Sequence, residues 1–154
     1  MTRPLLLPVL LLGLLVPSVP VLAHCQVPCG IYGDELRFGL MSENLDTLEK
    51  AMKQIQELSA KPSENLQQVV RWTNTKDDHA DQLAHTLTTY FLQQRIPLPK
   101  EGDETARKHR AELLEMVHAM LVHAMKAKQT TDVAHVLELR KLLESFKKAY
   151  DGKS

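Results

Sequence analysis

The sequence lacks the features that mark several common protein classes. No run of lysine or arginine is visible, and 19 basic residues are balanced by 19 acidic ones, so nucleic acid is not an expected partner. A glycine-rich phosphate loop and a Ser-His-Asp pattern are also lacking, which leaves phosphate-loop nucleotide binding and triad catalysis without support. Cysteine occurs only twice, as Cys25 and Cys29, and both thiols lie near the start of the chain.

Residues 1–23 have the features of a cleaved secretory signal. Arg3 supplies a positive charge, and an apolar run interrupted by prolines ends in "VLA", as signal peptidase substrates do. An uncleaved membrane anchor is the alternative, because the run is close to spanning length. A lipoprotein signal has weak support, since His24 separates Ala23 from Cys25. Cleavage after Ala23 predicts an exported domain, residues 24–154, that is periplasmic or extracellular and has no stable membrane association.

Beyond residue 33 the pattern is helical almost throughout. The first helix carries apolar residues three and four positions apart, which is typical of a face that packs on another helix. These residues are Phe38, Met41, Leu45, Leu48, Met52 and Ile55. The second helix is predicted over about 64–94, with a less regular inner side. That side comprises Leu66, Val69, Trp72 or Thr73, Ala80, Leu83, Leu87 and Phe91.

Two further helices follow a loop, "RIPLPKEGD", that contains two prolines and a glycine. The inner side of the third helix comprises Ala106, Leu113, Val117, Met120, Leu121 and Ala124. The inner side of the fourth comprises Val133, Val136, Leu137, Leu142, Leu143 and Phe146. Ser63, Asp103 and Thr131 are expected to cap the second, third and fourth helices. The pattern predicts an all-α protein, an antiparallel up-down four-helix bundle with an irregular segment before it.

The residues that carry chemistry lie where the mature N-terminus is expected. A chain beginning at His24 offers an amine and an imidazole, Cys25 adds a backbone nitrogen and a thiolate, and Cys29 returns a second thiolate across a short turn. Such a planar set of two nitrogens and two sulfurs favours Cu(II) or Ni(II), with the imidazole free to approach along the axis. A local disulfide between Cys25 and Cys29, or two unused thiols, is the alternative that the spacing leaves open.

The stretch "HCQVPCGIY" resembles the N-terminal nickel hook of nickel-containing superoxide dismutases, whose pattern is H-C-x-x-P-C-G-x-Y. The positions that match are His24, Cys25, Pro28, Cys29, Gly30 and Tyr32. The rest of the chain is similar only weakly, through its length, its helical pattern and the stretch "TTYF" that contains Tyr90.

The resemblance implies an enzyme that converts superoxide to oxygen and hydrogen peroxide by Ni(II)/Ni(III) cycling, with one nickel ion per subunit of a homohexamer. It implies that His24, Cys25 and Cys29 are the metal ligands. Tyr32 is expected at the mouth of the site, and Tyr90 is expected to contribute a nearby hydroxyl. The rival hypothesis is an exported nickel- or copper-binding helical carrier without turnover.

One departure from the family concerns the polar groups that orient the axial imidazole. The family's acidic residue on the first helix falls near Gly39, which cannot serve, and Glu35 and Glu43 are the nearest acids. The basic partner is Arg71 or Lys76.

Other polar residues have less support as sites. Asp81 and His85 are four residues apart and could share a metal ion, but a solvated helix face is commoner. His109, His118 and His123 do not share one helix face, so they are expected to be surface histidines or histidines satisfied in the core.

Overall fold

The computed structural model describes residues 33–152. The predicted leader and the hook, with His24, Cys25, Cys29 and Tyr32, lie outside the described residues. Four helices make up the described part: α1 (Asp34–Leu58), α2 (Pro62–His85), α3 (Glu104–Gln129) and α4 (Ala134–Asp151). α2 continues directly into a π-helical segment, Thr86–Arg95. Residues 33–152 contain no strand, so the predicted all-α class is confirmed.

The four helices enclose a single core. Consecutive helices pack side by side across short connections, and α4 packs back against α1. The six apolar residues predicted for the first helix are all buried. At one end of the core Phe38, Phe91, Phe146 and Tyr150 form an aromatic cluster, with ring centroids 4.9 to 5.9 Å apart. The predicted four-helix bundle is therefore confirmed.

The inner sides predicted for the second and fourth helices are wrong at two positions. Leu66 is 63% exposed, and no residue of α2 before Lys76 is buried. Lys76 already contacts the last residues of α3, so the earlier turns of α2 lie beyond the end of that helix. On α4, Leu137 is 48% exposed and Leu139 is fully buried, because the buried face follows Val136 in steps of three and four.

Of the three predicted helix caps, one is confirmed. Asp103 accepts a hydrogen bond from the Ala106 backbone N–H at 2.9 Å. The prediction that Ser63 caps α2 is wrong, because the helix already begins at Pro62. At this first position the N–H that proline lacks would have no helical partner. Thr131 is also wrong: α4 begins at Ala134, whose N–H donates to the Asp132 side chain at 2.9 Å.

The π-helical segment Thr86–Arg95 contains threonines whose hydroxyls bond to the backbone. The hydroxyls of Thr86, Thr88 and Thr89 donate to backbone carbonyls one turn earlier, at 2.7 to 3.0 Å. Such bonds compete with the regular helical ladder, but threonines of the regular α2 make them too, so they do not by themselves cause the wide turns of this segment. Wide turns of this kind are frequent at functional sites, and this one carries Tyr90 and Arg95.

Candidate active site

The N-terminal segment joins the bundle at the first residue of α1. Gly33 has an extended backbone, and Asp34 begins the helix. Cys29 is five residues before Asp34, so the chain between their Cα atoms spans at most about 18 Å. The predicted metal ligands therefore attach to the end of the bundle where α1 begins, the π-helical segment ends and α4 ends.

The Asp34 carboxylate is the centre of a polar cluster at this end. Its Oδ1 accepts a hydrogen bond from the Tyr90 hydroxyl at 2.7 Å. Its Oδ2 accepts from Arg95 Nη2 at 2.6 Å and from the Tyr150 hydroxyl at 2.7 Å. One carboxylate thus connects the start of α1 to the π-helical segment and to the last turn of α4.

The protonation states in this cluster follow from its hydrogen bonds. Burial acts to raise the pKa of Asp34, but the bonds from Arg95, Tyr90 and Tyr150 outweigh it and hold that pKa below its usual value. Burial, and then the bond to Asp34, raise the pKa of Tyr150 to about 12. The same two causes raise the pKa of Tyr90. Near neutral pH the carboxylate is ionised and both phenols are protonated, so both phenols donate to Asp34.

Tyr90 is held from several sides. Only 5% of it is exposed, and its ring meets Phe91 edge-on with centroids 5.2 Å apart. The guanidinium carbons of Arg37 and Arg95 lie 4.9 and 5.8 Å from its ring centroid, within the range of cation–π attraction. Its hydroxyl oxygen therefore has a defined position beside the junction with the N-terminal segment.

Comparison with known protein families decides the identity of the chain. The sequence model of the nickel-containing superoxide dismutases matches residues 19–153. The chain belongs to the nickel-containing superoxide dismutase family. No curated protein and no solved structure matches it. The family assigns superoxide dismutase activity, an oxidoreductase reaction with superoxide as substrate, and a nickel cofactor. It does not favour the rival hypothesis of a carrier without turnover.

The part of the chain that the structure describes offers no donor set for the nickel of this family. Within residues 33–152 no group of three or more histidine, cysteine or acidic residues is arranged to hold a metal ion. Asp81 and His85 both line a groove of about 670 Å³ between α1 and α2, and the other acidic and histidine residues along that groove are not arranged with them to hold a metal ion. Both thiols of the chain belong to the match, at Cys25 and Cys29, and thiolates suit a soft metal site.

The acidic and basic residues predicted to orient the His24 imidazole lie elsewhere or have other contacts. Glu35 accepts from Lys147 at 2.6 Å, and Glu43 lines the groove between α1 and α2. Lys76 donates to the carbonyls of Ala127 and Lys128 at the end of α3. It lies nineteen residues before Arg95, roughly 25 Å along the helix axis, so it is remote from the junction.

Sequence analysis missed three of the four residues in the cluster of Asp34, Tyr90, Arg95 and Tyr150. Asp34 carries a weak local signal, as an acid in the first turn of a helix. Arg95 also carries only a weak local signal, because it is a basic residue at the end of a helical segment, just before a proline-rich loop. Tyr150 has none, because it is 116 residues from Asp34.

His123, expected to be a surface or satisfied histidine, lies between α3 and α4. Its Nδ1 is 3.3 Å from Nδ1 of His135, so the two rings share a hydrogen bond or a close polar contact. None of the helices in residues 33–152 is long and apolar enough to cross a membrane.

Proposed function

We propose that His24, Cys25 and Cys29 bind the nickel ion of this superoxide dismutase after cleavage at Ala23. The observation that carries the assignment is the extent of the family match, which runs through the whole hook. The ligands would be the amine and imidazole of His24, the backbone nitrogen and thiolate of Cys25, and the thiolate of Cys29. The lack of another ligand cluster in residues 33–152 supports the same assignment.

A bound nickel ion would supply one-electron exchange between Ni(II) and Ni(III), which is what the oxidation of one superoxide to oxygen and the reduction of another, with two protons, to hydrogen peroxide require. The chain makes this exchange possible through its donors. Anionic thiolate and amide donors stabilise the higher oxidation state, which aqueous nickel reaches with difficulty. The His24 imidazole would be a further nitrogen donor, and it would favour Ni(III).

Tyr32 and Tyr90 are proposed to shape the approach to the metal rather than to supply protons. Tyr90 has a single hydroxyl proton, and it donates that proton to Asp34 at 2.7 Å. Its raised pKa opposes release of the proton. Tyr90 is therefore not expected to supply a proton of hydrogen peroxide; with Tyr32, which is expected at the mouth of the site, it would limit what reaches the nickel.

The charges at the junction support an anionic substrate. Arg37 and Arg95 flank the Tyr90 ring, and Asp34 is the acid that compensates Arg95. Two guanidinium groups thus lie beside the Tyr90 ring, where positive charge attracts an anion such as superoxide over a short range.

Assembly and export belong to the same proposal. The resemblance supports a homohexamer, and the exposed apolar side chains of Leu36, Leu40 and Leu92 near the junction are suited to subunit contact. The features of residues 1–23 support a cleaved signal, residues 24–154 as the mature dismutase domain, and a periplasmic or extracellular enzyme without stable membrane association.

The test compares two proteins that differ in one residue: one begins at His24, the other begins Met-His24 with the methionine retained. The first has a free amine at His24, whereas the second has an amide, which is a poor metal donor unless it is deprotonated. Both are reduced, supplied with nickel and examined by circular dichroism, metal analysis and a superoxide assay. We expect equal helicity, with dismutation only in the protein that begins at His24.

Cys25→Ser in the protein that begins at His24 is the negative control, and it should lose nickel as well as activity. Equal dismutation by the extended protein would show that the amine is not a ligand. Full activity of the Cys25→Ser protein with stoichiometric nickel would refute the thiolate assignment.

A further inference from the structure

We propose that Asp34 is a positioning residue for the nickel site: its carboxylate fixes the first turn of α1, to which the hook is joined in sequence, and the orientation of the Tyr90 hydroxyl. The proposal rests on the proposed function, since it concerns the hook that holds the metal. Asp34 itself is no ligand in this proposal and acts through the chain and through Tyr90.

The first argument is the origin of its partners. Tyr90, Arg95 and Tyr150 are 56, 61 and 116 residues away in sequence, so the contacts of Asp34 are tertiary. By comparison, Asp46 on the same helix accepts from Arg140 alone. Three donors, one of them charged, hold a carboxylate more firmly than any of them singly.

The second argument is how α1 begins. Gly33 at its N-cap has no side chain, and no side chain caps the helix. Asp34, in the first turn, directs its oxygens toward the π-helical segment and α4 instead of toward the free N–H groups. The start of α1, with the extended Gly33 before it, is therefore held by the cluster.

The third argument is the direction of the hydrogen bonds. The ionised carboxylate offers only acceptors, and both phenols donate to it. Because its one hydroxyl proton is used in the bond to Asp34, the Tyr90 oxygen can only accept a hydrogen bond from any further partner. An amide in place of the carboxylate would turn an N–H₂ group toward one of these donors, so Asp34→Asn must break or reverse at least one bond.

The fourth argument is stiffness. Tyr150 belongs to the aromatic cluster, with its ring 5.5 to 5.9 Å from those of Phe38, Phe91 and Phe146. Because packed aromatic rings do not shift independently, Asp34 is tied through Tyr150 to a packed part of the core at this end of the bundle.

The experiment uses the nickel-loaded mature enzyme and three variants. Asp34→Asn removes the charge at nearly constant shape. Asp46→Asn is the matched control, because it makes the same change on the same helix, also breaks a bridge to α4, and lies twelve residues further on, about 18 Å along the axis. Tyr150→Phe removes one donor to Asp34 and leaves Tyr90 in place.

We expect Asp34→Asn to keep one nickel per subunit, because every proposed ligand lies in the hook. Its dismutation per bound nickel should fall about 10- to 100-fold, the range for groups that orient metal ligands. Its Ni(III) electron paramagnetic resonance signal should broaden or change its g values, which loss of global stability alone would not cause. Tyr150→Phe should change both readouts in the same direction by less, and Asp46→Asn should match wild type.

The proposal is overturned if Asp34→Asn and Asp46→Asn give the same activity per nickel and the same Ni(III) signal. If Asp34→Asn does not fold, Tyr150→Phe decides the matter, and a wild-type signal and rate in that variant overturn the proposal. Failure of the proposed function would look different, since the wild-type enzyme itself would then show no Ni(III) signal and no dismutation.

Discussion

Lys76 provides the sharpest test of the fold, because a lysine that is only 3% exposed is rare in a bundle of this size. Its ammonium donates to the Ala127 carbonyl at 3.0 Å and to the Lys128 carbonyl at 2.6 Å. A third bond reaches Asp77 at 2.8 Å. These carbonyls belong to the last turn of α3, where helical partners are missing and a positive charge is favourable.

Lys76→Met keeps the apolar stem and removes the ammonium. Two carbonyls then lose their donor, and each unsatisfied buried carbonyl costs about 1 to 3 kcal/mol. Release of the buried ammonium from its desolvation penalty offsets part of this cost. We therefore expect a net loss of about 2 to 3 kcal/mol in the free energy of unfolding. For a domain of this length that corresponds to a fall in Tm of roughly 10 °C.

The measurement is urea and thermal unfolding of the variant, followed by circular dichroism. Lys128→Met is the matched control, because that lysine makes its bridge to Asp81 at the surface and should show no comparable loss. Dismutation per bound nickel should be unchanged in Lys76→Met below its Tm, since Lys76 is remote from the junction. A stability within about 0.5 kcal/mol of wild type would refute the argument from unsatisfied carbonyls.

The remaining predictions concern the axial ligand and a histidine pair. His24→Ala keeps the amine and both thiolates, so Ni(II) should still bind while turnover collapses; unchanged dismutation with bound nickel would contradict the axial role. Burial, the charge of His135 and that of Lys126 lower the pKa of His123, with Glu138 opposing them. The folded protein then binds fewer protons than the unfolded chain, so stability should fall as pH drops through about 6.5. His123→Asn should make that fall shallower in urea titrations at several pH values, and parallel curves for the two proteins would contradict the prediction.

The sequence predictions that succeeded depend on residues close together in sequence, whereas those that failed depend on how distant helices pack. The stripe from Phe38 to Ile55 was predicted in full because the period of a helix is a local property. The Asp103 cap was predicted because its partner, Ala106, is three residues away. Leu66 and Leu137 were misplaced because burial depends on how far a neighbouring helix reaches and how a helix is rotated.

The sequence by itself determined the chemistry of this protein. The proposed ligands, His24, Cys25 and Cys29, lie within six consecutive residues. Their spacing, and the position proposed for the mature N-terminus, can therefore be read from one short segment of the sequence. Only the tertiary structure decided what that segment is attached to. Asp34 meets Tyr90, Arg95 and Tyr150 because the bundle brings the start of α1, the π-helical segment and the end of α4 to one place, and no local pattern specifies which distant donors a carboxylate will find there.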